Sequence, residues 1–418
     1  MSALPGGATL VTVPLPDRAS VAVSMMVAVG SRYEPHSESG ISHFVEHMVF
    51  KGGGRYPTAR AVSEAIEGVG GVLNAATDRE ATMFWTRVPA RHVGLAVSVL
   101  SDIVLRPVLD PEEVAKERLV VIEELRMYHD NPQESAQILF DEVMWPDHPI
   151  GLDVAGREET VRGFTDAQCR THLDAHVRPD SLVVSVAGAI EPAIARELVG
   201  AELEDWASRA RRDREAPAPA TPASGPALRV QRRTVEQASV LLGGRTGSYL
   251  DPERYAGDVL NVVLGEGMSS RLFLELRERR ALVYDVHSFV SRLSDTGVLG
   301  IGLGCDPRHA ATAMRAAVAE LRLLAERPVD DTELTKAREY AKGRLLLQLE
   351  GTSALCEYAG QQQLLTGRIL EPAEVVARVD AVTADDVLRS ARRVLDSGLR
   401  AAVVGPFRGA ARFEAALS

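Results

Sequence analysis

The chain has 418 residues, of which 45% are hydrophobic and 25% are charged, and its formal net charge at pH 7 is −11. This length allows two or three domains with full cores, and the ordinary composition excludes a disordered or fibrous protein. The negative charge argues against a nucleic-acid binder. No apolar run reaches membrane-spanning length, so we expect no membrane partner.

The cysteines and the first residues of the chain predict a compartment. Cys169, Cys305 and Cys356 lie far apart and do not have a metal-binding spacing. Their odd number and their sparsity favour a reducing environment without disulfides. The first residues carry no basic region, and the apolar stretch after them is interrupted by Pro14 and Pro16, so we expect no signal peptide. The expected location is the cytoplasm.

In the first half, the alternation of apolar and polar residues and the positions of turn residues predict several strands and helices. Two further helices, which carry the histidine and acidic motifs, are predicted in addition. The predicted strands are residues 8–14 and 19–29, a strand pair within 70–88 and a strand at 181–187, and the predicted helices are 58–67, 89–104 and 165–176. The second strand is nearly all apolar, which is typical of a central strand. His148 precedes Pro149, which favours a loop residue over a metal ligand.

Residues 40–50, Gly-Ile-Ser-His-Phe-Val-Glu-His-Met-Val-Phe, carry the most distinctive motif. In a helix His43 and His47 lie about 40° apart on successive turns, with Glu46 beside them, so both imidazoles can bind one ion. A hydrolytic zinc takes three protein ligands and leaves one position for water. The order H-x-x-E-H inverts the H-E-x-x-H signature of zinc peptidases, which predicts Glu46 as a general base. The alternative is a helix whose histidines are satisfied by backbone or water.

A third ligand is expected from the next acidic helix. Residues 110–128 predict a helix that begins with an Asp cap followed by Pro. On a helical wheel Glu117 and Glu124 lie about 20° apart at the edge of the apolar stripe, whereas Glu123 faces solvent. The two carboxylates are about 10 Å apart along the axis, so one would bind the metal and the other would support it. The helical geometry does not decide between them, and ordinary surface acids are the alternative.

The strand pair within residues 70–88 offers a place for a peptide. Its Gly pair and small side chains allow another backbone to come close. A peptide could then be added as an extra strand through main-chain hydrogen bonds. A covered edge strand is the alternative.

The second half repeats the outline of the first. A Pro/Ala-rich linker at residues 209–227 separates an N-terminal domain, 1–208, from a C-terminal domain, 228–418. The second domain lacks H-x-x-E-H and is expected to be metal-free. Its predicted strands are residues 238–244, 289–292, 297–303 and 400–404, and its predicted helices are 254–264, 308–326, 331–348 and 384–395. The expected fold class is α+β, with two homologous α/β domains that each have a mostly antiparallel sheet and helices packed on one face.

These motifs resemble the pitrilysin or insulinase-like zinc metallopeptidases, also called inverzincins. The similarity is to their short-chain bacterial branch, which is related to mitochondrial processing peptidase. It rests on H-x-x-E-H and on the E-x6-E pair, and it covers nearly the whole chain. The resemblance implies one Zn²⁺ per chain held by His43, His47 and Glu124, with Glu46 as the base and Glu117 as a supporting acid.

The same resemblance implies substrate contacts in both halves. The G-G-x-x-N-A-x-T stretch is similar to the substrate-binding strand of the family, which implies that Asn74, Ala75 and Thr77 lie near the peptide. Arg277 and Tyr284 match an R-x6-Y pair that reaches the substrate and, through the Tyr, the oxyanion. Ala281 and Val283 stand where relatives often have Gly and Ala.

The implied activity is a zinc-dependent endopeptidase for short or unfolded peptides. Relatives enclose the substrate in a chamber of four such domains, and this chain has two, so we expect a homodimer or a heterodimer with a related chain. Two alternatives remain. The chain could be a non-catalytic scaffold, like the core-type subunits of the respiratory bc1 complex, or the catalytic subunit of a heterodimeric processing peptidase.

Overall fold

The computed structural model describes residues 1–204, 206, 217–220 and 227–417. Most of the predicted linker, residues 209–227, lies outside the described residues. By their internal contacts the residues form two compact units, and each is described by itself. Unit 1 comprises Met1–Leu125, Asp153–Ala218 and Gln348–Ile369, and unit 2 comprises Arg126–Leu152, Pro219–Leu347 and Leu370–Ser418.

The bounds of the elements follow the chain. The strands are β1 Ser2–Ala3, β2 Thr9–Pro14, β3 Ser20–Val27, β4 Val72–Thr77, β5 Thr82–Pro89, β6 Leu182–Gly188, β7 Leu228–Arg232, β8 Ala238–Thr246, β9 Asp285–Arg292, β10 Gly297–Cys305 and β11 Arg400–Gly405. The α-helices are α1 Ile41–Val49, α2 Ala59–Glu67, α3 Val93–Leu105, α4 Pro111–Asp130, α5 Pro132–Met144, α6 Glu158–Gly163, α7 Asp166–His176, α8 Pro192–Leu203, α9 Arg254–Leu264, α10 Ala310–Glu326, α11 Asp331–Gln348, α12 Thr352–Thr366, α13 Pro372–Asp380, α14 Ala384–Asp396 and α15 Ala411–Leu417. Among the described residues, no helix combines the length and the apolar character needed to cross a membrane.

The sheet of unit 1 has the strand order β1-β2-β6-β3-β5-β4. Its neighbouring strands are antiparallel except for β2 and β6, which are parallel. Alternate residues of β3, including Val21, Val23 and Met25, point into the main core, where α1 and α3 also contribute buried side chains. The apolar faces of these helices therefore meet one face of the sheet.

The other face of this sheet is covered by α12. Ala22 on β3 and Ala187 on β6 cluster with Cys356 of α12, and Gly360 approaches Met26 so closely that a Cβ would lie 2.7 Å from its sulfur. The helices α1 and α3 pack on one face as expected, and α12 adds cover on the other face. Because β3 is apolar on both faces, both faces need cover.

Unit 2 has the strand order β7-β11-β8-β10-β9, with β7 and β11 parallel and the other pairs antiparallel. Val240, Leu299 and Val403 of its sheet share one core with α9, α10 and α14. On the opposite face, Leu241 packs in a cluster that contains Phe140 of α5. The predicted fold class, α+β with a mostly antiparallel sheet in each half, is confirmed.

The units differ from the predicted segments 1–208 and 228–418 mainly in residues 126–152, which belong to unit 2, and residues 348–369, which belong to unit 1. α5 lies in the first segment but belongs to unit 2, and α12 lies in the second segment but belongs to unit 1. The apolar pattern of a helix shows that it needs a partner and does not say which sheet that partner is. For this reason the sequence boundary could not reveal the exchange.

Candidate metal centre

Helix α1 is fixed at both its start and its buried face. Gly40 precedes it with a φ of 94°, and a Cβ there would lie 2.5 Å from the carbonyl oxygen of Ala155, so the position requires glycine. Phe44 and Met48 are fully buried in the core of unit 1. The neighbouring stripe of α1 then carries His43, Glu46 and His47.

Three side chains from α1 and α4 converge. The Nε2 atom of His43 lies 3.9 Å from Oε1 of Glu124, and Nε2 of His47 lies 3.4 Å from Oε2 of the same carboxylate. One ligand atom from each of the three residues lies within 4.8 Å of the others. Two imidazole nitrogens and one carboxylate oxygen are the donor set that zinc takes in catalytic sites, so these residues fit the ion that the motif implies.

The two imidazoles have different surroundings. Burial and the neighbouring His47 lower the pKa of His43 to about 4, with Glu124 acting in the opposite direction, so the His43 ring is neutral. Burial also acts to lower the pKa of His47, but hydrogen bonds with Glu117 and Glu124 outweigh it and raise this pKa to about 9. A metal ion that bound Nε2 of His47 would therefore have to replace a proton.

Glu117 contacts the site from behind His47. Its Oε1 atom accepts a hydrogen bond from Nδ1 of His47 at 2.9 Å, and its Oε2 atom forms an ion pair with Lys51. Burial acts to raise the pKa of Glu117, but His47 and Lys51 outweigh it and hold this pKa below its usual value. Glu124 is thus the carboxylate in the three-residue cluster, and Glu117 lies outside the cluster and is hydrogen-bonded to His47.

Glu46 lies on the same helix and contacts the sheet. Burial raises its pKa, although a hydrogen bond from Thr77 offsets part of the effect. The hydroxyl of Thr77 donates to Oε2 of Glu46 at 2.5 Å. Thr77 is the last residue of β4, so this bond links the predicted base to the predicted substrate strand.

Strand β4 is at an edge of its sheet. It pairs with β5 on one side and has no other strand neighbour among the described residues. Asn74 is exposed and its Oδ1 atom accepts a hydrogen bond from the backbone N–H of Ala75, whose side chain is buried. Residues of α1 contact β4, so the structure brings the predicted substrate residues close to the metal helix.

Arg277 and Tyr284 lie in unit 2. Arg277 is part of a π-helical turn, Phe273–Arg279, and its guanidinium carbon lies 5.6 Å from the centre of the Tyr284 ring. Both side chains are exposed, and Tyr284 is 70% exposed. Ala281, between them, has a φ of 49°, a conformation that favours the Gly expected there from the resemblance. The pair is therefore assembled in unit 2, whereas the three-residue cluster is in unit 1.

Two residues near the site were missed by the sequence analysis. Lys51 follows α1 and reaches Glu117, and Glu34 accepts hydrogen bonds from the backbone N–H groups of Gly40 and Ser42. Lys51 stands four residues after His47, so helical spacing could have indicated it. His148, by contrast, is at the start of a short turn as expected, where its Nδ1 atom accepts a hydrogen bond from Ile150.

Two family models match the chain. Residues 9–158 match the insulinase (peptidase family M16) model, and residues 163–340 match the peptidase M16 inactive domain. His43, His47 and Glu124 all lie in the first of these stretches. The region labelled inactive includes Arg277 and Tyr284.

Relatives and solved structures agree with this assignment. An "uncharacterized zinc protease" of Streptomyces coelicolor is 36% identical over 412 residues, which cover 97% of this chain and 89% of the relative. Another protein with that description, from Bacillus subtilis, is 33% identical and covers 93% of both chains. A crystal structure of a protease from Helicobacter pylori has the same fold, with a TM-score of 0.88 at 23% identity, over 97% of this chain and 98% of that one. These names support a peptidase function that uses zinc, and the chain belongs to the insulinase family of peptidases, family M16.

Proposed function

We propose that this protein is a zinc-dependent endopeptidase that holds one Zn²⁺ per chain between His43, His47 and Glu124. The observation that carries the proposal is the approach of three ligand atoms, from two helices, to within 4.8 Å of one another. A zinc ion there supplies Lewis acidity, which polarises a peptide carbonyl and makes water more acidic. Proton transfer and substrate binding are carried out by residues of the chain.

Glu46 is the proposed general base. It accepts a proton from the attacking water while the water oxygen bonds to the carbonyl carbon, and it returns the proton to the amine nitrogen as the C–N bond breaks. The hydrogen bond from Thr77 supports this role because it orients the Glu46 carboxylate. Glu117 supports the site by holding Nδ1 of His47, which leaves Nε2 for the metal.

The substrate is a short or unfolded peptide that pairs with the open edge of β4. Main-chain hydrogen bonds supply affinity there, and Asn74, Ala75 and Thr77 lie next to the added strand. The support for this arrangement is the edge position of β4 and the contact between β4 and α1. A folded protein does not offer such a free strand.

Arg277 and Tyr284 are the proposed donors to the oxyanion, contributed by a second subunit. A guanidinium and a phenol can both donate to a developing negative charge. Their mutual contact and exposure support an accessible pair. The second subunit is a further copy or a related chain, and together the two chains form the chamber in which peptides are cleaved.

Substitution of Glu46 by Gln tests the mechanism. E46Q should retain about one zinc per chain, measured by elemental analysis, and should lose about 10²- to 10⁴-fold in cleavage of an unfolded peptide library read by mass spectrometry. The matched control is E123Q, since Glu123 lies on the exposed face of α4. Unchanged turnover in E46Q contradicts the proposed base, and a purified protein that binds no zinc contradicts the proposed enzyme.

A further inference from the structure

Lys51 lies at one end of a chain of polar contacts that reaches the metal centre. It follows the last turn of α1, and its backbone N–H donates to the carbonyl of Met48. Its ammonium forms an ion pair with Oε2 of Glu117, and Oε1 of Glu117 accepts from Nδ1 of His47. The order of contacts is therefore Lys51, Glu117, His47, and then the ligand position at Nε2 of His47.

The charge of Glu117 needs a partner because the residue is only 4% exposed. A buried carboxylate without compensation is unfavourable, whereas one that contacts a cation and accepts a hydrogen bond can stay ionised. The Lys51 side chain, 23% exposed, supplies that cation. Lys51 also comes two residues after the C-terminal end of α1, and positive charge is favourable near the C-terminal end of a helix.

The two histidines differ in the hydrogen bonding of their Nδ1 atoms. Nδ1 of His43 is buried and has no hydrogen-bond partner among the described residues, whereas Nδ1 of His47 is held by Glu117. An imidazole can bind a metal through one nitrogen when the other nitrogen carries the proton, and the hydrogen bond on that second nitrogen selects the tautomer. The orientation of His47 thus depends on Glu117 in a way that the orientation of His43 does not.

We propose that Lys51 is a positioning residue of the metal centre, because its ammonium holds the Glu117 carboxylate against Nδ1 of His47 and so presents Nε2 to the metal. This inference rests on the proposed zinc site. It adds a residue to the site that the H-x-x-E-H motif and the acid pair do not contain.

The test is zinc affinity, measured by competition with a chelator on the full-length metal-depleted protein. K51M should weaken zinc binding, by no more than the loss of about 10- to 100-fold that is typical when the direct partner of a ligating histidine, here Glu117, is itself removed. K51R keeps a cation and should retain most of the affinity. The matched control is K116M, because Lys116 is exposed and pairs with Glu113, away from His47, and it should bind zinc as the wild type does.

A double substitution separates positioning from a general effect on the fold. In an E117Q background, K51M should cause little further loss of zinc affinity, because Lys51 acts through Glu117. Histidine ¹⁵N spectra of the metal-depleted proteins at about pH 10, above the pKa of about 9 for His47, should show Nδ1–H on the neutral ring in the wild type and a mixture of tautomers in K51M.

The outcomes distinguish this inference from the proposed function. Equal zinc affinity in K51M and the wild type, or additive losses in the double variant, overturns the role of Lys51 and leaves the zinc site intact. A wild-type protein that binds no zinc overturns the proposed function itself.

Discussion

Glu34 fixes the first turn of the metal helix from a buried position. Its two carboxylate oxygens accept from the N–H groups of Gly40 at 2.7 Å and Ser42 at 2.8 Å. Burial raises the pKa of Glu34 to about 7, nearby Glu38 adds to the rise, and the two hydrogen bonds offset part of it. A negative charge at a helix N-terminus is favourable, but here it is taken out of water.

Stability should therefore depend on pH through Glu34. Its pKa is about 7 in the folded state and 4.5 as the unperturbed value, so the folded protein binds this proton more tightly. The resulting stabilisation is fully present below pH 4.5 and is lost as the pH rises through about 7. The group contributes about 3 kcal/mol over that range.

Urea unfolding of the metal-depleted protein at several pH values from 5 to 8 measures this effect. The free energy of unfolding should fall more steeply with pH in the wild type than in E34Q, whereas E112Q, which alters an exposed acid on α4, should keep the wild-type slope. An E34Q slope equal to that of the wild type contradicts the assignment.

Helical periodicity explains which site residues the sequence could predict. His43, Glu46 and His47 are on one helix, so spacing alone puts them on adjoining stripes. The choice between Glu117 and Glu124 depends on the distance between two helices, which no pattern within one helix contains. The structure brings Glu124 to Nε2 of His47 and Glu117 to Nδ1. Their roles at a bound metal stay predictions.

At the scale of elements, α12 is one of the helices that the sequence analysis did not predict. Its sequence, Thr-Ser-Ala-Leu-Cys-Glu-Tyr-Ala-Gly-Gln-Gln-Gln-Leu-Leu-Thr, has small residues where most helices have large apolar ones. Those small residues let the helix backbone approach the sheet, and the carbonyl oxygen of Cys356 accepts a hydrogen bond from the hydroxyl of Ser185. The close approach of the helix backbone to the sheet takes the place of contacts by large side chains. The periodicity of large apolar residues is therefore a poor guide to such a helix.

Two helical glycines offer a matched comparison. A Cβ at Gly360 of α12 would lie 2.7 Å from Met26 and 3.0 Å from the Cβ of Ser185, whereas one at Gly343 of α11 would meet nothing within 4 Å. G343A should raise the free energy of unfolding by about 0.5 to 1 kcal/mol because alanine favours the helix.

G360A should instead lower the free energy of unfolding by about 1 to 3 kcal/mol through overpacking. Chemical denaturation of both variants and the wild type measures whether each substitution raises or lowers the free energy of unfolding. A gain in G360A equal to that in G343A would show that α12 has room on this face of the sheet.

At the scale of the whole molecule, the two sheets share one plan. Without the short β1, the order β2-β6-β3-β5-β4 matches β7-β11-β8-β10-β9, with a parallel pair in the same place. The sequence predicted this duplication from the order of its elements. It could not predict that each unit includes a helix from the other half of the chain, because that exchange depends on tertiary contacts.

The exchange predicts that the first half does not fold well alone. A fragment of residues 1–208 lacks α12, so it leaves the apolar surface around Val11, Ala22, Val183 and Ala187 without the cover it has in unit 1. We expect this fragment to bind a hydrophobic dye and to unfold without cooperativity. The same fragment joined through a flexible linker to residues 348–369 should unfold cooperatively. Cooperative unfolding of the unjoined fragment contradicts this prediction.

The bond between Thr77 and Glu46 ties the open edge of β4 to the proposed base. The side chains of a peptide that pairs with that edge alternate between the two faces of the sheet. If the peptide slides along β4, its side chains keep their faces only when it moves by two residues, which is about 6.8 Å. The proposed catalytic residues stay in place while the bound peptide advances by two residues at a time. Repeated cuts along one extended polypeptide would then leave a ladder of fragments whose lengths differ by even numbers of residues.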